Sequence, residues 1–356
     1  RSRASPVPRQ PGLELSTSMR TVFLALSALA VAAVARPVHD DALLRTVQAK
    51  ATTWTAEHSP RFANWTMDQA ARLMGSRQDA EAKAVYAALP VRTYSHVEMD
   101  VPDTFDEREQ WPKCTIMNEV RDQASCGSCW AFGTVEAYND RRCASTKGTG
   151  PEANVMLSAQ DVASCCTGFT CFGCQGCDGG MPPTAWQYLV NEGVVTGGDY
   201  GTKATCRPYE LPPCEHHVKG PLPACHEGGS TPACSSKCIP SYATPYAQDK
   251  HHAKSVYSLN SVSDVQKDIL QYGAVTAAFT VYEDFLTYKS GVYTHTTGNA
   301  LGGHAISIIG WGTENSTPYW LVRNSWNTAW GDKGYFKIRR GTDECGIEDE
   351  IVAGDV

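Results

Sequence analysis

Cysteine limits what this chain can fold into more than any other residue. There are fifteen, every one at or beyond Cys114, so a long N-terminal stretch carries none. Thiols are used sparingly where they stay reduced, and this density points to an oxidising compartment and a body stapled by disulfides. Fifteen is also odd, so pairing within the chain leaves at least one thiol over. With 356 residues the chain can bury a sizeable core. A net charge of -7 offers no basic face, so nucleic acid is not expected as a partner.

The N-terminal end agrees with that compartment. Met19-Arg20 opens a short basic region, Val22 to Val34 is apolar, and Ala33-Val34-Ala35 has the small-x-small pattern of a signal peptidase site. Residues 19–35 therefore read as a signal peptide. The apolar run is short for a bilayer and no other long one follows, so no membrane anchor is expected. Residues 1–18 precede a plausible initiator Met without any pattern and read as an upstream, non-native or untranslated-region remnant. From Arg36 to Asp100 the chain is polar and cysteine-free. Met67, Ala70, Ala71 and Met74 fall at helical spacing there, and Gly75 stops the pattern. The change of composition near residue 101 fits either a removable segment ahead of the body or a small subdomain that stays attached.

Within the body, Cys129 to Arg142 reads as a helix with Trp130, Phe132, Val135 and Tyr138 apolar. The stretch of about 165–250, rich in Cys, Pro and Gly, reads as mostly loop. Ser263-Asp264-Val265-Gln266 has a capping-box pattern and predicts a helix through Gln271. Strand-like runs follow at Val275–Val281, Ala305–Trp311, Tyr319–Arg323 and Tyr335–Arg339. Helix thus dominates one half of the body and β-structure the other.

The segment Gln123-Ala-Ser-Cys126-Gly-Ser-Cys129-Trp130 sets a cysteine at a helix start, where N–H groups and the helix dipole favour an anion. A thiolate is the nucleophilic form, which makes Cys129 a candidate for catalysis rather than for a bridge. Taken alone, Cys126 and Cys129 would equally suit a redox or metal pair. Further on, Gly302-Gly303-His304-Ala305 brings a histidine to a strand start, and Asn324-Ser325-Trp326 follows an apolar run. Each of these residues by itself is most often structural; their joint occurrence is the signal. A competing iron–sulfur reading of Cys171, Cys174 and Cys177 lacks the fourth cysteine followed by proline.

Cysteine, histidine and asparagine in this order and in these settings resemble the papain family of cysteine peptidases. The resemblance covers nearly all of residues 45–354. It implies an α+β, papain-like two-domain fold: a helical left domain and a β-barrel-like right domain with the active-site cleft between them. It assigns residues 36–100 to an inhibitory propeptide that threads the cleft backwards, and 101–356 to the mature domain. By the same resemblance His304 accepts the thiol proton and returns it to the leaving amine, Asn324 orients the imidazole, and Gln123 with the Cys129 N–H forms the oxyanion hole. Gly179, Gly180, Gly303 and Trp326 would line the substrate cleft. No metal or other cofactor is required.

Pro213-Cys214-Glu215-His216-His217, with Cys225 beyond, resembles the occluding loop of one branch of that family, here 206–225. There, paired histidines hold a substrate's C-terminal carboxylate, which implies a peptidyl-dipeptidase with endopeptidase activity when the loop swings away. Asp122 and His216 would form one latch of that loop. Where the branch has a second, Arg–Asp latch, this sequence has Leu222 and Ala329. Glu350 aligns with the acid at the floor of the S2 pocket. The implied bridges are Cys114–Cys143, Cys126–Cys177, Cys165–Cys234, Cys166–Cys171, Cys206–Cys238 and Cys214–Cys225, leaving Cys129, Cys174 and Cys345 free. Cys174 could compete with Cys171 for Cys166. Asn64 and Asn315 open glycosylation sequons, the second followed by Pro318. Expected partners are peptide and protein substrates, cystatin-type inhibitors and the chain's own propeptide, with the enzyme a monomer. The expected location is the secretory pathway and a lysosome-like acidic compartment, or secretion. Two other readings are a non-catalytic papain-like binding protein and a disulfide-rich metal or redox protein.

Overall fold

The computed structural model describes residues 35–213 and 229–356. Among the described residues no helix is long and apolar enough to cross a membrane. The N-terminal segment holds helix α1 (Asp41–Lys50), the short strand β1 (Trp54–Ala56), and helices α2 (Met67–Ala71) and α3 (Ala80–Ala87). Each helix begins where a polar side chain satisfies its free N–H groups. Asp40 caps α1, Thr66 and Gln69 form a reciprocal capping box on α2, and Asp79 caps α3. The helical spacing that runs to Met74 is realised only as far as Ala71. Neither α1 nor α3 is foreseen from the sequence, because each buries little: Val47 alone in α1, and Ala82 and Tyr86 in α3.

The cysteine-bearing half of the body contains β2 (Phe105–Asp106), α4 (Glu107–Gln110), α5 (Cys129–Thr146), α6 (Ala159–Cys165) and α7 (Pro182–Asn191). Every residue of α5 from Cys129 to Arg141 is buried, including its charged ones. Those charges are paired: Arg141 with Asp268, and Asp140 and Glu136 with Arg323. Five disulfides join Cys114–Cys143, Cys126–Cys177, Cys165–Cys234, Cys166–Cys171 and Cys206–Cys238. Cys214 and Cys225 lie outside the described residues. The stretch expected to be mostly loop does contain α7, which opens on Pro182-Pro183, where proline costs no helical hydrogen bond.

The histidine-bearing half follows as β3 (Tyr257–Ser258), α8 (Val262–Tyr272), β4 (Val275–Tyr282), β5 (Tyr288–Tyr293), β6 (Ala300–Glu314), β7 (Thr317–Arg323), β8 (Tyr335–Arg339) and β9 (Glu350–Ala353). Its strands lie in the order β1-β5-β8-β7-β6-β4-β9-β3, with β2 added on β6. The N-terminal segment thus supplies one edge strand. α8 is capped by Ser261, whose side chain accepts from the Asp264 N–H, two residues earlier than the Ser263 pattern predicts. The Ser261 hydroxyl also reaches the Asp264 carboxylate at 2.7 Å, so an Asp fills the place expected of Gln266. The β6–β7 hairpin turns at Asn315-Ser316, with φ of +48° and +63°, as a two-residue turn of that twist requires. Around Phe285 the rings of Phe279, Tyr293, Trp326, Trp330 and Phe336 pack with centroids 4.9–5.9 Å apart.

Candidate active site

The loop before α5 is fixed from below. Ser128 shares a 2.9 Å hydrogen bond with the Tyr209 hydroxyl, which itself donates to the Gln123 carbonyl at 2.9 Å. Gly127 has no room for a side chain, since a Cβ there would stand 2.5 Å from the Cys177 carbonyl oxygen. Cys129 follows as the first residue of α5, fully buried and unpaired, its thiol beside the N–H groups of Ala305 and Gly75. Ala305 follows His304 on β6, which sets His304 opposite Phe279 of β4.

His304 is tied on one side only. Its Nε2 lies 2.7 Å from Asn324 Oδ1, while Nδ1 has no hydrogen-bond partner among the described residues. The Trp326 ring covers the imidazole, 4.7 Å away centre to centre. Ser325, to which the sequence reading gave no role, links the set. Its hydroxyl donates to Gln123 Oε1 at 2.8 Å and its N–H to Asn324 Oδ1 at 2.8 Å. Gln123 Nε2 is left to donate to the Cys126 carbonyl at 2.7 Å and to the Leu73 carbonyl at 3.0 Å. The signal for Ser325 was present in the Asn-Ser-Trp run, but nothing local showed what its hydroxyl would meet.

Residues 73–78 cover this site. Gly180 N–H donates to the Gly75 carbonyl at 2.8 Å, Arg77 N–H to the Gly180 carbonyl at 2.9 Å, and Ser76 N–H to the Gly303 carbonyl at 2.9 Å. The segment is parallel to Gly180 and antiparallel to Gly303. Gly179 lies alongside, at φ +110°. A side chain at Gly75 would clash, its Cβ 1.8 Å from the Gly127 carbonyl oxygen. Under this cover, burial pushes the Cys129 thiol up to about 11 and the His304 imidazole down to about 4. Both groups are held neutral.

Glu350 sits on β9, buried, with one carboxylate oxygen lacking a partner among the described residues. Burial raises it to about 7, against the Gln78 amide and the Lys83 ammonium, which lower it. Asp122 accepts from the Ala124 N–H and from Asn327 Nδ2, each at 2.8 Å, and faces the Arg61 guanidinium of the N-terminal segment at 3.6 Å. His216, His217 and Leu222 lie outside the described residues. Ala329 is described and exposed. Cys174 is free and buried, its sulfur 3.4 Å from the Met181 N–H, and Cys345 is free and half-buried. Cys171 and Cys177 are spent in disulfides, so the three-cysteine run does not present three thiolates. Asn64 and Asn315 are both exposed.

Comparison with known proteins bears on the same residues. A family model described as papain family cysteine protease matches residues 101–354. The chain belongs to that family. As a papain-family cysteine protease it is 49% identical over 304 residues to a cathepsin B-like cysteine proteinase of Schistosoma japonicum, covering 85% of this chain and 86% of the relative. It is 52% identical over 260 residues to cathepsin B-like cysteine proteinase 5 of Caenorhabditis elegans, covering 71% and 74%. Among solved structures, proCathepsin B S9 from Trypanosoma congolense superposes with a TM-score of 0.75 at 33% identity, over 90% of this chain and 99% of that one. That structure is a proform, and the covered, papain-like cleft described above accords with it.

Proposed function

We propose that the chain is the precursor of a cathepsin B-like peptidase in which Cys129 is the nucleophile and His304 the general base, held latent by residues 36–100. The observation that carries this reading is that the Cys129 thiol, buried at a helix start, lies beside the N–H of Ala305, the residue after a histidine whose free nitrogen is Nδ1. In the reaction Nδ1 takes the thiol proton and the thiolate attacks the scissile carbonyl. The C–N bond then breaks as the imidazolium returns the proton to the leaving amine. Water hydrolyses the thioester by the reverse proton route. Gln123 Nε2, which donates to the Leu73 carbonyl in the covered state, is in reach of a substrate oxyanion once that carbonyl leaves.

Latency has an electrostatic part as well as a steric one. With both partners neutral under the cover, the thiolate–imidazolium pair is absent. Burial holds His304 at about 4 and the Cys129 thiol at about 11, so the proton that the imidazolium would carry stays on sulfur until the cover is withdrawn. Acid treatment of the precursor should release residues 36–100 and start hydrolysis of a Phe-Arg peptide amide. A Cys129→Ala chain should do neither, and activity surviving in that variant would refute the assignment.

The finer reading has peptidyl-dipeptidase and endopeptidase activity in one enzyme, with His216 and His217 receiving a C-terminal carboxylate and Asp122 latching His216. With Leu222 and Ala329 in place of the second latch, the loop opens more easily and endopeptidase cleavage gains weight. Hydrolysis of a free-carboxylate peptide and of its amidated twin should then differ little; a strong preference for the acid would contradict this. Glu350 supports a second specificity, for Arg at P2. Glu350→Ala should slow Arg-Arg substrates about tenfold while sparing Phe-Arg ones, and equal losses on both would rule it out. Residues 19–35 as a signal peptide, sugar on Asn64 and Asn315, and delivery to a lysosome-like compartment complete the proposal.

A further inference from the structure

Beyond the cleft, residues 90–97 dock on a second surface of the body. Val91 bridges Ser258 of β3 in parallel, with Arg92 N–H donating to the Ser258 carbonyl at 3.0 Å and Ser258 N–H to the Pro90 carbonyl at 2.9 Å. The Arg92 guanidinium grips the Asp355 carboxylate through two bonds of 2.7 and 2.6 Å and lies 3.5 Å over the Tyr257 ring. Tyr94 is buried, its hydroxyl donating to Asp268 Oδ2 at 2.8 Å and its N–H to Asp264 Oδ1 at 2.7 Å. Lys267 Nζ closes the set on the carbonyls of Tyr94 and Val97, at 3.2 and 3.0 Å.

The receiving groups are held by the body itself. Asp268 also accepts from the Tyr257 hydroxyl at 2.9 Å and pairs with Arg141 of α5. Asp355 accepts from Ser255 Oγ at 2.6 Å, and its N–H returns a bond to that oxygen at 3.2 Å. Groups fixed in advance lose little freedom when a ligand arrives. The surface is remote from Cys129: Arg141, which pairs with Asp268, lies twelve residues further along α5. At the helical rise that is about 18 Å along the axis.

We propose that this surface, built by β3, α8 and Asp355, is a peptide-binding exosite that the N-terminal segment fills in the precursor. In the processed enzyme it takes an extended polypeptide carrying Arg-x-Tyr. The proposal rests on the reading that residues 36–100 are removed. Arginine is specified by the fork-to-carboxylate geometry and the stacked Tyr257 ring, neither of which lysine reproduces. Tyrosine is specified by the buried Asp268 carboxylate at the end of its slot, which a bare apolar ring would leave short of one donor. A protein substrate or inhibitor with such a segment would be held at two places, lowering KM without altering the chemical step.

The test uses processed enzyme alkylated at Cys129, so that the cleft is blocked, and a fluorescent peptide of residues 89–98 followed by anisotropy. Saturable binding is expected, weakened about tenfold or more by Arg92→Ala or Tyr94→Ala in the peptide. Asp355→Asn in the enzyme should weaken it as well while leaving small-substrate hydrolysis intact. The unaltered precursor should not bind, its site being filled. A full-length precursor carrying both Arg92→Ala and Tyr94→Ala should bind, which reads the exosite even if the N-terminal segment is never shed. No binding to either the processed enzyme or that variant, or binding indifferent to Arg92 and Tyr94, overturns the exosite. Failure to shed residues 36–100 overturns only the activation scheme.

Discussion

The half of the molecule that presents Cys129 and the half that presents His304 are held in shape by different means. All five described disulfides fall between Cys114 and Cys238, where helices are joined by long irregular connections. From Tyr257 to Ala353 the described chain has no bridge; it has a continuous sheet and a packed aromatic cluster instead. Irregular chain costs about 1–2 kcal/mol per residue to order, and cross-links relieve part of that by restricting the unfolded state. A sheet with a large ring cluster meets the same cost by burial. Each half fixes one of the two groups proposed to react: Cys126–Cys177 tethers the loop before Cys129, while β4 and β6 set His304.

The largest loss is expected at the cleft, where the two halves meet. Replacing His304 with Ala should lower kcat on a peptide amide by about 10²–10⁴-fold, the usual worth of a general acid–base group; a loss under tenfold would mean another base. Next comes the sheet half, where Phe285→Ala empties the centre of the ring cluster. It should cost about 3–5 kcal/mol in a denaturant melt, and adding a reductant should not be needed to reveal the loss. On the stapled half, replacing both Cys114 and Cys143 with Ser opens a bridge of sequence separation 29. About 3–4 kcal/mol should be lost, with the sheet's amide-exchange protection holding up better than that of α5.

The smallest expected effect lies at the seam, where α5 meets β7. Burial raises Glu136 to about 7 from an ordinary 4.5, and it also raises Glu107 and Asp140, while Arg323 opposes it for each. With its pKa raised, folded Glu136 binds more proton than unfolded chain between 4.5 and 7. Its contribution to stability is therefore present below that window and lost as the pH rises through it, by roughly 3 kcal/mol at most. Glu136→Gln should flatten the fall in melting temperature between acid and neutral pH; an unchanged slope would exclude Glu136 from the titration.

How much of this was legible in the sequence depended on how far apart the cooperating residues stand. Cys129, its helix and its flanking glycine lie in one short run, and the capping, turn and strand signals around His304 and Asn324 are equally local. The strand at Tyr335–Arg339 has the bounds its alternation predicts. What escaped was set by distant partners. Ser325 joins Gln123 across 202 positions, and Tyr209 reaches its carbonyl across 86. Tyr94 finds Asp268 across 174 positions, with no local pattern to mark it. Helix α3 shows little periodicity and α1 buries only Val47, because most of their faces meet solvent, and the cap of α8 moved because Ser261, not Ser263, accepts from the Asp264 N–H.

Cys129 is proposed as the one reactive thiol among the three free cysteines of the described residues, Cys129, Cys174 and Cys345. Burial also raises the thiols of Cys174, to about 12, and of Cys345, and neither sits at the start of an 18-residue helix. The direct measurement is titration with an epoxide-type thiol inhibitor, before and after acid processing, with mass mapping of the adduct. One adduct per chain, on Cys129 and only after the N-terminal segment is shed, is the predicted result. Label on Cys174 or Cys345 instead, or equal labelling of the intact precursor, would contradict it.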